Sequence, residues 1–292
     1  MSKKGIVNKA LYGKDNKDDF TNIMLPPTRK KQFLYILKNN WMNLFYLNLI
    51  VFIFFLPFIA YYAMSTIYIS KIVSSLESKD YLLQLFPISC FQYLPLAFLL
   101  IIGFIGASGA NFVIRKMLFD EVIDFKNDFK KGIKYSWKQY AFLGFVLGLI
   151  LLINNYASQY VLLLGLDPFI AIVLYVLVLI VFIILLISIM YMANLSTLYV
   201  MNNFMLIKSG LLLSIKELPR NILVFAASFL PIFIWVSFSY IFVKIITPIL
   251  LIIFGFSLIL LAFCELSMFS FDKYINEKSY PDFYRKGLRE NG

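Results

Sequence analysis

Histidine is absent from this 292-residue chain, so the commonest general base and metal ligand is missing from the start. Few other side chains could carry chemistry. Asp120, Glu121, Asp124 and Asp128 stand among lysines. Asp124/Asp128 and Lys130/Lys134 are each one helical turn apart, which reads as a solvated charged face rather than an acid–base pair. Glu265 lies near the end of an apolar run, where a carboxylate is expected to reach the lipid headgroups and meet Lys273. Asn48, Asn111, Asn154 and Asn194 interrupt apolar stretches. Such amides either hydrogen-bond between helices, the favoured reading, or line a path for a neutral solute. Cys90 and Cys264 are predicted near opposite sides of a membrane, with no disulfide between them and no metal-ligand spacing. The chain has no Gly-rich phosphate loop ending in Lys-Ser/Thr, no Gly-x-Ser-x-Gly elbow and no His-Glu-x-x-His. No catalytic residue, metal or cofactor is assigned.

The elements holding these groups are written in the hydropathy. The chain is 61% hydrophobic and 15% charged, with mean hydropathy +0.81. A soluble domain is nearer about 45–50% apolar and about 25% charged. The reading is an all-α, polytopic membrane bundle of six transmembrane helices with amphipathic cytoplasmic connecting helices. The spans are predicted at 41–63, 93–114, 140–157, 169–193, 222–240 and 248–268, each near the roughly 20 residues a crossing needs. Residues 1–28 read as a polar cytoplasmic tail, 29–269 as the membrane domain and 270–292 as a second cytoplasmic tail. The first forty residues lack a cleavable signal peptide, and the first span is expected to act as an uncleaved anchor.

Charge sets the orientation. Of the 27 Lys and Arg residues, 24 fall before span 1, in the 115–139 and 202–221 connections, or after span 6. By the positive-inside rule both termini face the cytoplasm. The net charge of +11 is thereby accounted for by topology and anionic headgroups, without nucleic acid.

Two features concern packing and partners. Gly103/Ala107 and Gly106/Ala110, with Gly109 beside them, are small-xxx-small pairs that let helices approach closely. In the 115–139 connection, Val122, Phe125, Phe129, Ile133, Trp137 and Tyr140 recur every three or four residues, with lysines opposite. This predicts an amphipathic helix at the cytoplasmic membrane surface. Pro219 fits the first turn of a new helix after the second connection.

The segments entering spans 1, 3 and 5 also resemble one another. Phe33-x3-Leu37-Lys38-x2-Trp41 parallels Phe129-x3-Ile133-Lys134-x2-Trp137. Lys130-x-Gly132-x3-Ser136 parallels Lys208-x-Gly210-x3-Ser214. Either three helical-hairpin repeats pack around a pseudo-threefold axis, or every cytoplasmic entry is basic and aromatic for interfacial reasons. The pattern alone leaves both open.

The order of these features resembles the YesL-like family of bacterial integral membrane proteins, a domain of unknown function. The residues carrying the resemblance are LKNNWMNLFYLNLIVFIFFLPFI, GASGANFVIRKMLFDE, DFKKGIKYSWKQ, KSGLLLSIKELPRNIL and the terminal YPDFYRKGL. It implies a plasma-membrane protein of Gram-positive-type bacteria, associated with carbohydrate ABC transporters. Ile215-Lys216-Glu217-Leu218-Pro219 is similar to the end of the coupling loop in permease subunits of bacterial ABC importers, without its upstream portion. Together these mark a partner surface at Phe125, Phe129, Ile133, Trp137, Ile215, Leu218 and Pro219. The function expected is that of a non-enzymatic accessory or regulatory component of carbohydrate uptake. Its partners would be the bilayer and an ABC transporter or sensor membrane protein, or a second copy of the chain. The alternative is a small facilitative transporter or channel for a neutral solute, with Asn48, Asn111, Asn154, Asn194 and Glu265 along its path. An enzyme acting on lipid-linked sugars ranks last, for want of an acid, base or metal site.

Overall fold

A computed structural model describes residues 25–74, 78–238 and 240–289. Most of the predicted polar N-terminal tail lies outside the described residues, as does Glu77 of the polar segment after span 1. Every described element is helical, as apolar backbone in lipid requires: with no water to pair its N–H and C=O groups, the chain satisfies them internally.

The helices begin where the sequence supplies caps and run further than hydropathy implies. Helix α1 (Arg29–Asn39) is capped by Thr28, whose hydroxyl accepts from the Lys31 N–H at 3.4 Å. Helix α2 (Trp41–Ser74) contains Pro57, and α3 (Ser78–Leu118) contains Pro87 and Pro95. Asp124 caps α4 (Phe125–Leu163). Asp167 caps α5 (Pro168–Leu198) by accepting from the Phe169 N–H, with Pro168 in the first turn. Asn202 caps α6 (Asn203–Lys216), and α7 (Leu218–Ser237) carries Pro219 in its first turn, as expected. Helix α8 (Ile241–Ser279) is continuous but interrupted by π-helical turns at Leu251–Gly255 and Asp272–Asn276. Six of these helices (α2, α3, α4, α5, α7 and α8) are long and apolar enough to cross a membrane.

Three sequence-based boundaries are corrected. The 115–139 connection is no separate surface helix: from Phe125 it is the first part of α4. At 1.5 Å per residue, the 39 residues of α4 span about 58 Å, nearly twice a hydrocarbon core of about 30 Å. Residues 64–92 carry Lys71, Glu77, Lys79 and Asp80 and read as a polar, partly helical outer segment; 64–74 continue α2 and 78–92 belong to α3. Residues 270–289 form no loose tail: α8 runs on to Ser279, and the chain then folds back onto the bundle. In each case hydropathy reports where the lipid stops, whereas helical hydrogen bonding continues until a cap or turn ends it.

Contacts between helices follow one rule three times. The even-numbered crossings α3, α5 and α8 touch one another in the middle. Helix α2 packs between α3 and α8, α4 between α3 and α5, and α7 between α5 and α8. The entry segments obey it too: α1 lies on α8, the start of α4 on α3, and α6 on α5. Gly132 and Gly210, equivalent in the sequence comparison, make equivalent crossings. A Cβ on Gly132 would stand 2.5 Å from Phe112 Cβ and 3.0 Å from the Ser108 carbonyl. One on Gly210 would stand 2.5 Å from Met192 Cγ and 3.1 Å from the Ser188 carbonyl. The first and last described segments and the turn between α3 and α4 gather at one end of the bundle, the basic end.

Candidate functional site

Where α3, α5 and α8 meet near the basic end, the core turns polar. Asn111 Nδ2 of α3 donates to Asn194 Oδ1 of α5 (3.2 Å) and to the Tyr140 hydroxyl of α4 (2.6 Å). Asn194 Nδ2 donates to the Phe263 carbonyl (3.1 Å) and Ser267 Oγ (2.8 Å) of α8. The Cys264 thiol closes the ring, donating to Asn194 Oδ1 (3.1 Å) and Asn111 Oδ1 (3.4 Å). Tyr140 also donates to the Ala193 carbonyl (2.9 Å) and shares a 2.8 Å bond with Thr197 Oγ1. Arg115 Nη1 caps the cluster by donating to the Thr197 carbonyl at 2.8 Å. The cavity among Asn111, Arg115, Asn194, Thr197, Cys264 and Met268 is about 10 Å³, room for one water at most. This cluster joins four helices through neutral groups. The buried Cys264 thiol is spent on the two amide oxygens. A second polar node links α5, α7 and α8: the Tyr191 hydroxyl donates to Asn221 Oδ1 and pairs with Ser270 Oγ, both at 2.8 Å.

Of the five residues predicted along a path, only Asn111 and Asn194 come together. Asn48 serves the first π turn of α8. Its Oδ1 accepts from the Ser257 N–H at 3.0 Å and its Nδ2 donates to the Ile252 carbonyl, repairing backbone groups that the extra residue of the turn leaves free. Asn154 lies toward the other end, in an apolar groove between α4 and α5. Glu265 is the clearest correction. It is only 6% exposed and does not reach headgroups. Neither carboxylate oxygen has a hydrogen-bond partner, and Lys273 pairs instead with Glu217 at 2.6 Å. The charges acting on it are Arg29, Arg220 and Asp272, with Arg220 stacked 3.3 Å over the ring of Phe269, one turn further along α8.

The acids of the α3–α4 turn are also reassigned. Asp128, expected on a solvated face, is 1% exposed. It pairs with Lys116 at 2.9 Å and accepts from the Asp124 N–H at 2.8 Å, closing the helix start reciprocally with Asp124. Asp124 accepts from both the side chain and the backbone of Asn127, which hold its carboxyl below the usual range. Glu121 meets Lys286 at 2.7 Å.

That last contact belongs to a knot at the basic end. Arg29 donates to Asp272 (2.8 and 3.1 Å), Gln32 Oε1 (2.7 Å) and the Lys286 carbonyl (3.1 Å). Gln32 Nε2 donates to the carbonyls of Leu118 (2.6 Å) and Gly287 (3.0 Å). Gly287 sits at φ 78°, open to glycine at little cost, and a Cβ there would fall 1.8 Å from the Leu118 carbonyl. The terminal YPDFYRKGL segment is thus part of the fold.

The predicted partner surface divides. Phe129 is buried beneath Gly109, and Phe125 and Ile133 pack on the core. Trp137, Ile215 and Pro219 are exposed, and Leu218 is half-buried. The apolar stripe of α4 therefore turns inward, leaving Lys126, Lys130, Lys131, Lys134 and Lys138 outside. The small residues do pack helices: Gly103 faces Phe55, Gly106 faces Phe54, and Ala107 and Ala110 are buried.

Tyr140 was expected only as the end of an apolar stripe, and Thr197, Gln32 and Asp272 were not expected in any site. Spacing offered a partial signal: Asn111-x3-Arg115 and Asn194-x2-Thr197 each put two polar groups on one helix face. Gly144-x3-Gly148 is a further small-xxx-small pair, and a Cβ on Gly148 would lie 2.2 Å from Ala97 Cα. Comparison with family models, with curated proteins and with solved structures gives no match to this chain. The likeness to the YesL-like family rests on the sequence pattern alone.

Proposed function

We propose that the chain is a non-enzymatic, multi-pass protein of the plasma membrane, acting as an accessory or regulatory component of a larger membrane assembly. One observation carries this reading: Asn111 and Asn194, the amides best placed to line a path, are spent on one another, on Tyr140 and on Ser267. Groups committed to holding helices together do not guide a solute. The charge bias sets both termini in the cytoplasm, and the YesL-like resemblance supplies carbohydrate uptake as the setting. A surface for a partner remains at the basic end in the exposed Ile215 and Pro219 and the half-buried Leu218. Purification in several mild detergents, followed by identification of co-purifying chains, is expected to recover a transporter or sensor membrane protein. Recovery of a self-associated species alone in every detergent would overturn the reading.

A further inference from the structure

At the basic end an open groove of about 410 Å³ runs between α3 and α4, lined by Ile105, Lys130, Ile133, Lys134 and Trp137. Its two halves differ in chemistry. Lys130 and Lys134 are exposed, one turn apart, and neither joins an ion pair among the described residues. Of the acids nearby in sequence, Asp128 pairs with Lys116, Glu121 with Lys286, and Asp124 accepts from Asn127. Below the lysines the walls are apolar. Trp137 is 45% exposed, and indole rings favour the border between headgroup and acyl chain. From Ile105 the apolar track continues along the lipid-facing side of α3 through Ile102 and Phe98, both exposed. That track is seven residues long, about 10 Å at the helical rise.

We propose that this groove binds an anionic glycerophospholipid, with Lys130 and Lys134 on its phosphodiester and an acyl chain along Ile133, Trp137, Ile105 and Ile102. Two cations above a continuous apolar track match a ligand with a charged head and a hydrocarbon tail. An acidic protein segment would satisfy the lysines and leave the track uncovered. The site does not depend on the accessory role proposed above; it needs only that these helices lie in a bilayer.

Trp137 is a local reporter, since the chain holds only 3 tryptophans. The full-length protein with Trp41→Phe and Trp235→Phe is reconstituted in mixed phosphatidylcholine–phosphatidylglycerol vesicles in which one lipid or the other is brominated. Brominated phosphatidylglycerol is expected to quench Trp137 with a relative affinity at least about 5-fold above phosphatidylcholine, the factor one lysine gains beside anionic lipid. Lys130→Gln with Lys134→Gln brings the ratio to about one. Lys208→Gln with Lys216→Gln, which removes equal charge from α6, leaves it high. Equal quenching by the two lipids in the parent protein, no quenching by either, or an unchanged ratio in the Lys130/Lys134 variant overturns the proposal. A parallel fall in both double variants also overturns it, since general surface charge would then account for the preference.

Discussion

A carboxylate that accepts no hydrogen bond is costly in the interior of a bundle, because desolvation goes uncompensated. Glu265 is in that position. Replacing it by an isosteric amide removes the risk of a buried charge at little change in volume. Glu265→Gln is expected to raise the thermal unfolding midpoint in detergent by about 2–4 °C, equivalent to about 1 kcal/mol in a domain of this size. A lower midpoint would mean that the acid has a stabilising partner in the folded protein. Glu217 shows the opposite balance. The Lys273 ammonium, bonded to it, and the Tyr274 hydroxyl at 2.7 Å hold its carboxyl below the ordinary value of 4.5. A depressed folded value means that the contribution is complete above 4.5 and lost as pH falls through the lower folded value. In acid titrations followed by circular dichroism, Glu217→Gln should remove part of the destabilisation below that value; an unaltered acid limb would contradict the contact. Residue types gave no means of telling these two acids apart. Glu265 and Glu217 each precede a leucine, and only the tertiary arrangement buries one without a hydrogen bond and sets the other against Lys273.

At the scale of helices, the close crossings separate by what stands opposite each glycine. A Cβ on Gly148 would meet Ala97 Cα at 2.2 Å, which is backbone and cannot step aside. One on Gly103 would meet the Phe55 ring at 2.7 Å, a side chain able to rotate. Gly148→Ala is therefore expected to cost on the order of 1–3 kcal/mol, the usual penalty of overpacking, and Gly103→Ala less. Thermal unfolding of the two purified variants ranks them, and a reversed order would contradict the α3–α4 crossing. Spacing announced the small-residue pairs at 103/107 and 106/110, and the pair at 144/148 obeys the same rule. Helix ends were less legible. Residues 122 to 140 keep one unbroken helical period, so hydropathy marked a border at 140 that the backbone ignores. The actual start, at Phe125, is fixed by Asp124 and Asp128 acting on each other's turn.

At the scale of the molecule, the similarity among the entries to spans 1, 3 and 5 was visible as a pattern of Phe, Lys, Gly and Trp. Which even-numbered helix each entry lies against was less legible: the starts of α4 and α6 fold back on the helix just before them, whereas α1 finds α8 across 243 residues, as in the Arg29–Asp272 pair, and nothing local names so distant a partner. The polar centre joining α3, α5 and α8 was foreshadowed by Asn111 and Asn194, but Tyr140 and Cys264 looked like ordinary members of apolar runs. The orientation remains a matter of charge. In a chain with Cys90 and Cys264 replaced by serine, Lys126→Cys and Arg285→Cys are expected to react with a membrane-impermeant maleimide only after permeabilisation, and Asp167→Cys in intact cells. Labelling of Lys126→Cys and Arg285→Cys from opposite sides would contradict both the charge argument and the knot that holds their segments together.

That knot also has a meaning in time. Gln32 emerges from the ribosome 255 residues before Gly287, the partner that completes its pairing over the Leu118 carbonyl. During synthesis the first helix enters the bilayer, and the inner helices assemble, with that amide still half-engaged. Residues 283–289 act as a clasp, closing over α1 and the end of α3 only after α8 has been made.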